Sequence, residues 1–380
     1  MRTIYRNNRQ GMALAMAMFA IVVIGALIAG AFFASNQDFK IGRNSLVAQR
    51  AFTAAEYGLN KTMAEWDQSL NLAIKVGKDT VFNYTTGDGG SASVRITRAN
   101  DLTYWVVSEG AAGVNTPLET RRRTSSVLRL AYPAIKYGGA LTLAGGGTIK
   151  GSSQVYGTNA NPAGWDCADF PGRDTTAVAY GPASTLTVQK SSNAIGSPPT
   201  YADPNAGTDG TYVKYGDESW NTLVANADIK LSGDPGTVLP VLTADGTRCN
   251  TSIPTNWGEP LRDATSVTKC QSYMPIIYVS TDVHLSQGRG QGILLVDGSL
   301  YVNGSFDWYG MIIVRDQFTK SNGSANIFGA AMARNASISA TTNDILGNVT
   351  FQYSKCAIET ALHGSARLVP AKKRAWAEMW

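Results

Sequence analysis

Residues 12–34 read MALAMAMFAIVVIGALIAGAFFA, without one charged or strongly polar side chain. At 1.5 Å per residue a helix of this length covers about 34 Å, enough to cross the hydrocarbon of a bilayer. Ahead of it, MRTIYRNNRQG (1–11) carries Arg2, Arg6 and Arg9 and no acid. A basic flank stays on the cytoplasmic side, so the expectation is a single pass through a membrane with the bulk of the chain on the far side. A secretory signal has a shorter apolar core and a small-x-small cleavage site after it. Here the run continues into an amphipathic pattern: from Phe52, the residues Ala55, Leu59, Met63, Trp66 and Leu70 recur at spacings of three and four. That spacing predicts one apolar helix face extending to about Leu72, with a soft point at Gly42 inside polar Ser35–Arg43.

The totals fit an exported protein rich in β-structure. Of 380 residues only 16% are charged, while 39 are glycine, a mixture that favours strands and turns over helical bundles. The net charge of +5 comes largely from the leader, Arg121 to Arg123 and Lys372, Lys373 and Arg374. No continuous basic face emerges, so nucleic acid is not an expected partner. Four cysteines stand at 167, 249, 270 and 356. An even count outside the apolar run, with no CxxC pair, suggests two disulfides in an oxidising compartment. Three pairings are open; the short loop favours Cys249 with Cys270, which leaves Cys167 with Cys356. Four unpaired thiols are the alternative. His284 and His363 are the only histidines, and nothing has zinc-ligand spacing.

The expected fold class is α+β: a long N-terminal helix on a small antiparallel sheet, followed by a mainly-β, solenoid-like domain. TVFNYTT (80–86), SASVRITR (91–98), TYWVVSEGAA (103–112) and RRTSSVLRLA (122–131) read as a meander separated by turn clusters. Beyond Pro133 hexads appear. ALTLAG, GGTIKG and SSQVYG end at Gly145, Gly151 and Gly157; ILLVDG, SLYVNG and SFDWYG end at Gly298, Gly304 and Gly310. MIIVRD, QFTKSNG, SANIFG and AAMARN continue with small slips. Short strands with a glycine corner are the signature of a β-solenoid, and a β-sandwich is the competing reading. The expected organisation is a leader at 1–11, a membrane and assembly helix at 12–34, and a helix-plus-sheet region at 35–132. A solenoid-like domain at 133–370 then carries an insertion at 158–287, and a basic, aromatic tail closes the chain at 371–380.

Signals for chemistry are weak. No GxSxG elbow accompanies the Ser, His and Asp residues. GRGQG (288–292) lacks the Lys and Ser/Thr of a phosphate loop and reads as a turn. Asp203, Asp209, Asp217 and Glu218 hint at calcium, yet their spacing is not that of an EF-hand loop, and turn-forming Asp and Asn explain them. No cofactor is expected. Asp297 and Asp307 could mimic a glycosidase pair, but an acid beside Gly298 is what a turn prefers. The expectation is not an enzyme.

The leader ending in Gly11, the apolar run after it and AQRAFTAAEYGLN (48–60) resemble the N-terminal region of PilX-like minor pilins. The resemblance covers residues 1 to about 66, with Ala54-Ala55-Glu56 and Gly58 strengthening it. It implies cutting by a prepilin peptidase between Gly11 and Met12, methylation of the new terminus at Met12, and assembly with other pilin subunits. One departure stands out: the fifth mature residue, a glutamate in major pilins, is Met16 here. Glutamate-free chains resemble minor or tip subunits, and Gly25 and Gly30 permit close helix approach. The implied role is an accessory subunit of a type IV pilus or a type II secretion pseudopilus, displayed on the cell surface after assembly. The rival readings are an uncleaved anchor bearing a solenoid that contacts surface polysaccharide, or a polysaccharide-active protein outside any filament.

Overall fold

Ala, Met, Leu and Phe dominate residues 12–34 and no proline interrupts residues 10–64, so nothing stops a helix once begun. In the computed structural model, α1 accordingly runs unbroken from Gln10 to Ala64, through Gly42. The structure describes residues 10–66, 74–100, 102–320, 324–333, 342–345, 348–371 and 376–379. The expected extension to Leu72 is not met: α1 ends at Ala64, and residues 67–73 lie outside the described ones. Two compact units result, one from the described residues up to 66, 74–129 and 370–379, the other from 130–369.

In the first unit, β1 (Asp79–Thr85), β2 (Ser91–Arg98), β3 (Thr103–Ala112) and β4 (Thr120–Ala131) form an antiparallel meander. Trp376–Met379 adds a strand antiparallel to β4. Alternation places Ala92, Val94, Ile96, Tyr104, Val106 and Leu128 on the buried face. The second half of α1 covers that face. Its buried residues are Val47, Ala51, Ala54, Ala55, Leu59 and Thr62, a stripe of mostly small side chains, while Phe52 and Met63 are only half-buried. The expected Phe52–Met63 face is therefore rotated toward small residues. The reason is close approach: a Cβ on Gly58 would lie 2.6 Å from Ser108 Oγ and 2.7 Å from Ala92 Cβ. Bulky residues serve the edges instead, where Phe52 meets Trp376 edge-on at 6.1 Å and Trp66 meets Tyr104 at 5.0 Å.

The second unit is built from three parallel ladders. Successive coils begin at Ile276, Ile293, Met311 and Ala330, so each takes about 18 residues, or three hexads. In the first ladder these strands stack on one another, and Ala331–Ala333 then pairs with Leu141–Leu143, which pairs with 178–180. In the second, 283–285, 300–302 and 318–320 stack, and Thr342–Ile345 pairs with Gly146–Ile149. In the third, 287–292, 305–310, 324–329 and 348–353 stack, and Thr350–Gln352 pairs with Gln154–Tyr156. The coil containing 139–156 thus sits on the coil containing 330–353, out of chain order.

Apolar runs such as ILLV (293–296) and MIIV (311–314) make the first ladder buried on both faces, as parallel sheets require. Its outer face packs against the helix Lys355–Gly364, through Ile358, Ala361 and Leu362, and against buried Tyr212, Tyr215, Trp220 and Leu223. Gly292, Gly310 and Gly329 fall in register at one corner with φ of 108°, 131° and 134°. A Cβ at Gly310 would lie 2.2 Å from Gly292 O, and one at Gly329 2.0 Å from Gly310 O. Only glycine turns this corner.

Candidate assembly surface

Residues 13–46 of α1 are exposed without exception. Phe19 and Phe32 are 71% and 72% exposed, Met16 68%, and Leu14, Ile21, Ile28 and Phe33 are similarly open. Among the described residues, nothing beyond the helix's own neighbouring backbone lies within 4 Å of where a Cβ on Gly25, Gly30 or Gly42 would stand. Each large apolar side chain left in water forgoes about 1.5–3 kcal/mol. The whole row therefore forgoes tens of kcal/mol, more than the roughly 5–15 kcal/mol that holds a typical domain together. Leaving this surface in water is therefore unfavourable. The charge-free stretch ends at Asp38, followed by Lys40 and Arg43. No acid precedes Asp38 on the helix. Gly11 and Met12 lie in the first turn of described helix; Arg2, Arg6 and Arg9 lie outside the described residues, as do Lys372, Lys373 and Arg374.

The second unit carries two disulfides, Cys249–Cys270 and Cys167–Cys356. Asn256, fully buried, fills the first loop: its Nδ2 donates to Val241 O at 3.0 Å and Asn250 O at 2.8 Å and sits 3.2 Å from Cys249 Sγ. The same excursion is held to the third ladder by an ion pair. The fully buried Glu259 side chain accepts from Arg289 Nε and one terminal nitrogen at 2.8 Å each, and from Leu261 N and Val267 N. Burial pushes the neighbouring Arg262 guanidinium down to about 10. It lies 4.8 Å over the Trp165 ring, which stacks on Tyr309, which stacks on Phe328. Glu259 and Arg289 escape sequence reading because 30 residues separate them, and GRGQG, which holds Arg289 and reads as a turn, is part of the strand Val283–Val296.

Two of the acids that hinted at calcium have partners in the structure. Asp203 closes a turn by accepting from Asn205 N at 2.9 Å, and Glu218 pairs with Arg367 at 2.8 Å. Among the described residues no three His, Cys, Asp or Glu side chains converge. Asp297 accepts from Arg315 and from Tyr278, whereas Asp307 accepts from Asn326 on the third ladder. His284 stacks on Tyr301 at 4.7 Å. Burial pushes the Asp228 carboxyl above the ordinary aspartate range although Ile276 N donates to it.

These features define an α+β protein with one exposed apolar helix of membrane-crossing length, packed through its second half on an antiparallel sheet. No family model matches the chain, and no curated protein matches it. Among solved structures, the crystal structure of the competence-associated pilin ComZ from Thermus thermophilus is similar over 88% of this chain and 97% of that one. The identity is 12% and the TM-score 0.21, an overlap too loose to align individual elements.

Proposed function

We propose that this chain is a non-enzymatic, accessory pilin-like subunit of a type IV pilus or type II secretion pseudopilus. The observation that carries the reading is the division of α1: residues 13–46 are exposed, while buried positions begin at Val47. Residues 12–34 first hold the precursor in the inner membrane; they then pack against the helices of neighbouring subunits. That packing has no hydrophobic drive within lipid and rests on close van der Waals contact, which Gly25 and Gly30 permit. We read the three ladders as a β-solenoid head. Bulk of this size would crowd the neighbours of a repeating shaft subunit, so the proposal places the chain at a filament tip, with the head free for surface contact.

Mass spectrometry of the mature N-terminus tests the reading. A prepilin peptidase product begins at N-methylated Met12, and replacing Gly11 with leucine abolishes cutting and surface display. An intact Met1 on surface-exposed protein, or display indifferent to Gly11→Leu, overturns the proposal.

A further inference from the structure

The two disulfides are nested: Cys249–Cys270 lies wholly inside the span of Cys167–Cys356, whose members are 189 residues apart. Everything that positions Cys167 at a distance comes from later in the chain. Gln352 Nε2 donates to Thr158 O at 2.6 Å, Lys355 N to Asn159 Oδ1 at 2.9 Å, and Ala160 N to Tyr353 O at 3.0 Å. Trp165 Nε1 donates to Pro260 O, and Phe170 packs edge-on against His363. The strands just before this loop, at 141–143, 146–149 and 154–156, stack on strands at 331–333, 342–345 and 350–352. Cys167 therefore lacks its partner cysteine and the contacts from 350–363 until those residues have reached the outward side.

The order of arrival sets up a wrong pairing. Resting on the reading above, in which the chain beyond α1 is delivered outward N-terminus first, Cys167 waits as a free thiol in a loop closed at its base by Thr175 N on Gly157 O but not yet tied to residues 350–363. At synthesis rates of about 5–20 residues per second, Cys249 follows and stands for roughly 1–4 s with Cys167 as its only partner. Oxidation by a disulfide-bearing oxidant joins the two sulfurs, and the oxidant leaves as a dithiol. When Cys270 arrives, the balance reverses. A loop of 21 residues closes about eightfold more readily than one of roughly 80. The correct bond is favoured, but uncatalysed rearrangement takes minutes to hours.

We infer that maturation of this chain requires a thiol–disulfide isomerase acting on a Cys167–Cys249 bridge. The isomerase thiolate attacks Cys249 Sγ and Cys167 departs as a thiolate. The Cys270 thiolate then attacks Cys249 Sγ and the isomerase thiolate is released, so no net electrons move. Cys167 stays reduced until Cys356 docks beside it, and a second oxidant disulfide takes up the two electrons of that last bond.

The test expresses the full chain in a bacterial host with and without its periplasmic disulfide isomerase. Thiols are alkylated at once, and cross-linked peptides are counted without reduction. The expected result is that loss of the isomerase raises the ratio of Cys167–Cys249 to Cys249–Cys270 peptides by about eightfold or more. In Cys167→Ser, the Cys249–Cys270 bond forms equally in both hosts. Native pairs at equal yield in both hosts for the unaltered chain, or a Cys167→Ser chain that still needs the isomerase, overturns the inference and leaves the outward placement standing. Four alkylated cysteines in both hosts overturn the outward placement as well.

Discussion

At Gly110 a Cβ would lie 2.1 Å from the Ala51 carbonyl oxygen and 2.3 Å from the Ala55 nitrogen, backbone atoms that no change of rotamer can move. Gly110→Val must therefore lift α1 off β3, and we expect a loss of at least about 3 kcal/mol in the first unit. Urea unfolding of a detergent-solubilised chain reads it directly; a change under 1 kcal/mol would show that the helix does not seat as described. Asp228 gives a prediction with the opposite sign. Burial raises its carboxyl above the ordinary value, so the folded state holds the proton more tightly than the unfolded one. The stability linked to that proton is fully present below the unfolded pKa and is lost as pH rises through the folded pKa. Asp228→Asn keeps an acceptor for Ile276 N and carries no charge. It should unfold at a higher denaturant concentration than the parent at pH 7, with the gap closing as pH falls toward the ordinary aspartate value. A gap constant across that range would mean the carboxylate is not the cause.

Among the elements, α1 is two objects in one helix, and its halves should respond differently to deletion. Removing residues 1–34 takes away none of the buried positions of α1, which start at Val47. The melting of the remaining chain should stay within about 0.5 kcal/mol of the parent, while its recovery with membranes is lost. Scanning calorimetry and fractionation check the two halves of that statement, and a truncated chain still bound to membranes would locate the membrane-seeking surface elsewhere. The apolar half was readable because composition alone dictates it. The meander was readable too, since TYWVVSEGAA and its neighbours alternate. The packing face of α1 was not: Ala51, Ala54 and Gly58 carry little hydrophobic signal, whereas Phe52 and Met63 carry much, and close helix–sheet approach selects for smallness. The hexads were visible as short strands ending in turns, but no local pattern says that the coil at 139–156 rests on the one at 330–353. That follows only from closure in three dimensions.

On the scale of the whole second unit, this out-of-order stacking makes the final closure a matter of long loops. Contacts such as Leu141 with Ala331 and Val155 with Phe351 bring together residues whose loop-closure entropy must be met before they reward it. A covalent tie across the same junction therefore stabilises more than one within a local excursion. In the chain-entropy account, a loop of 189 residues corresponds to about 5 kcal/mol and one of 21 to about 3 kcal/mol. The double variant Cys167→Ala/Cys356→Ala should accordingly lose more stability than Cys249→Ala/Cys270→Ala, by about 2 kcal/mol. The two replacements are matched in kind, since each removes one buried and one half-buried sulfur. The inner loop also keeps other ties when its disulfide goes: Glu259 remains on Arg289, and Arg262 on Trp165. The outer junction likewise keeps Gln352 on Thr158, Lys355 on Asn159 and the strand pairs of the two blocks, so the expected difference rests on loop length. Guanidinium unfolding of the two variants, followed by the fluorescence of buried Trp257 and Trp308, measures it. If the inner pair cost more, strain or residual structure in the unfolded chain would outweigh loop length, and the junction between the two blocks would hold without its covalent tie.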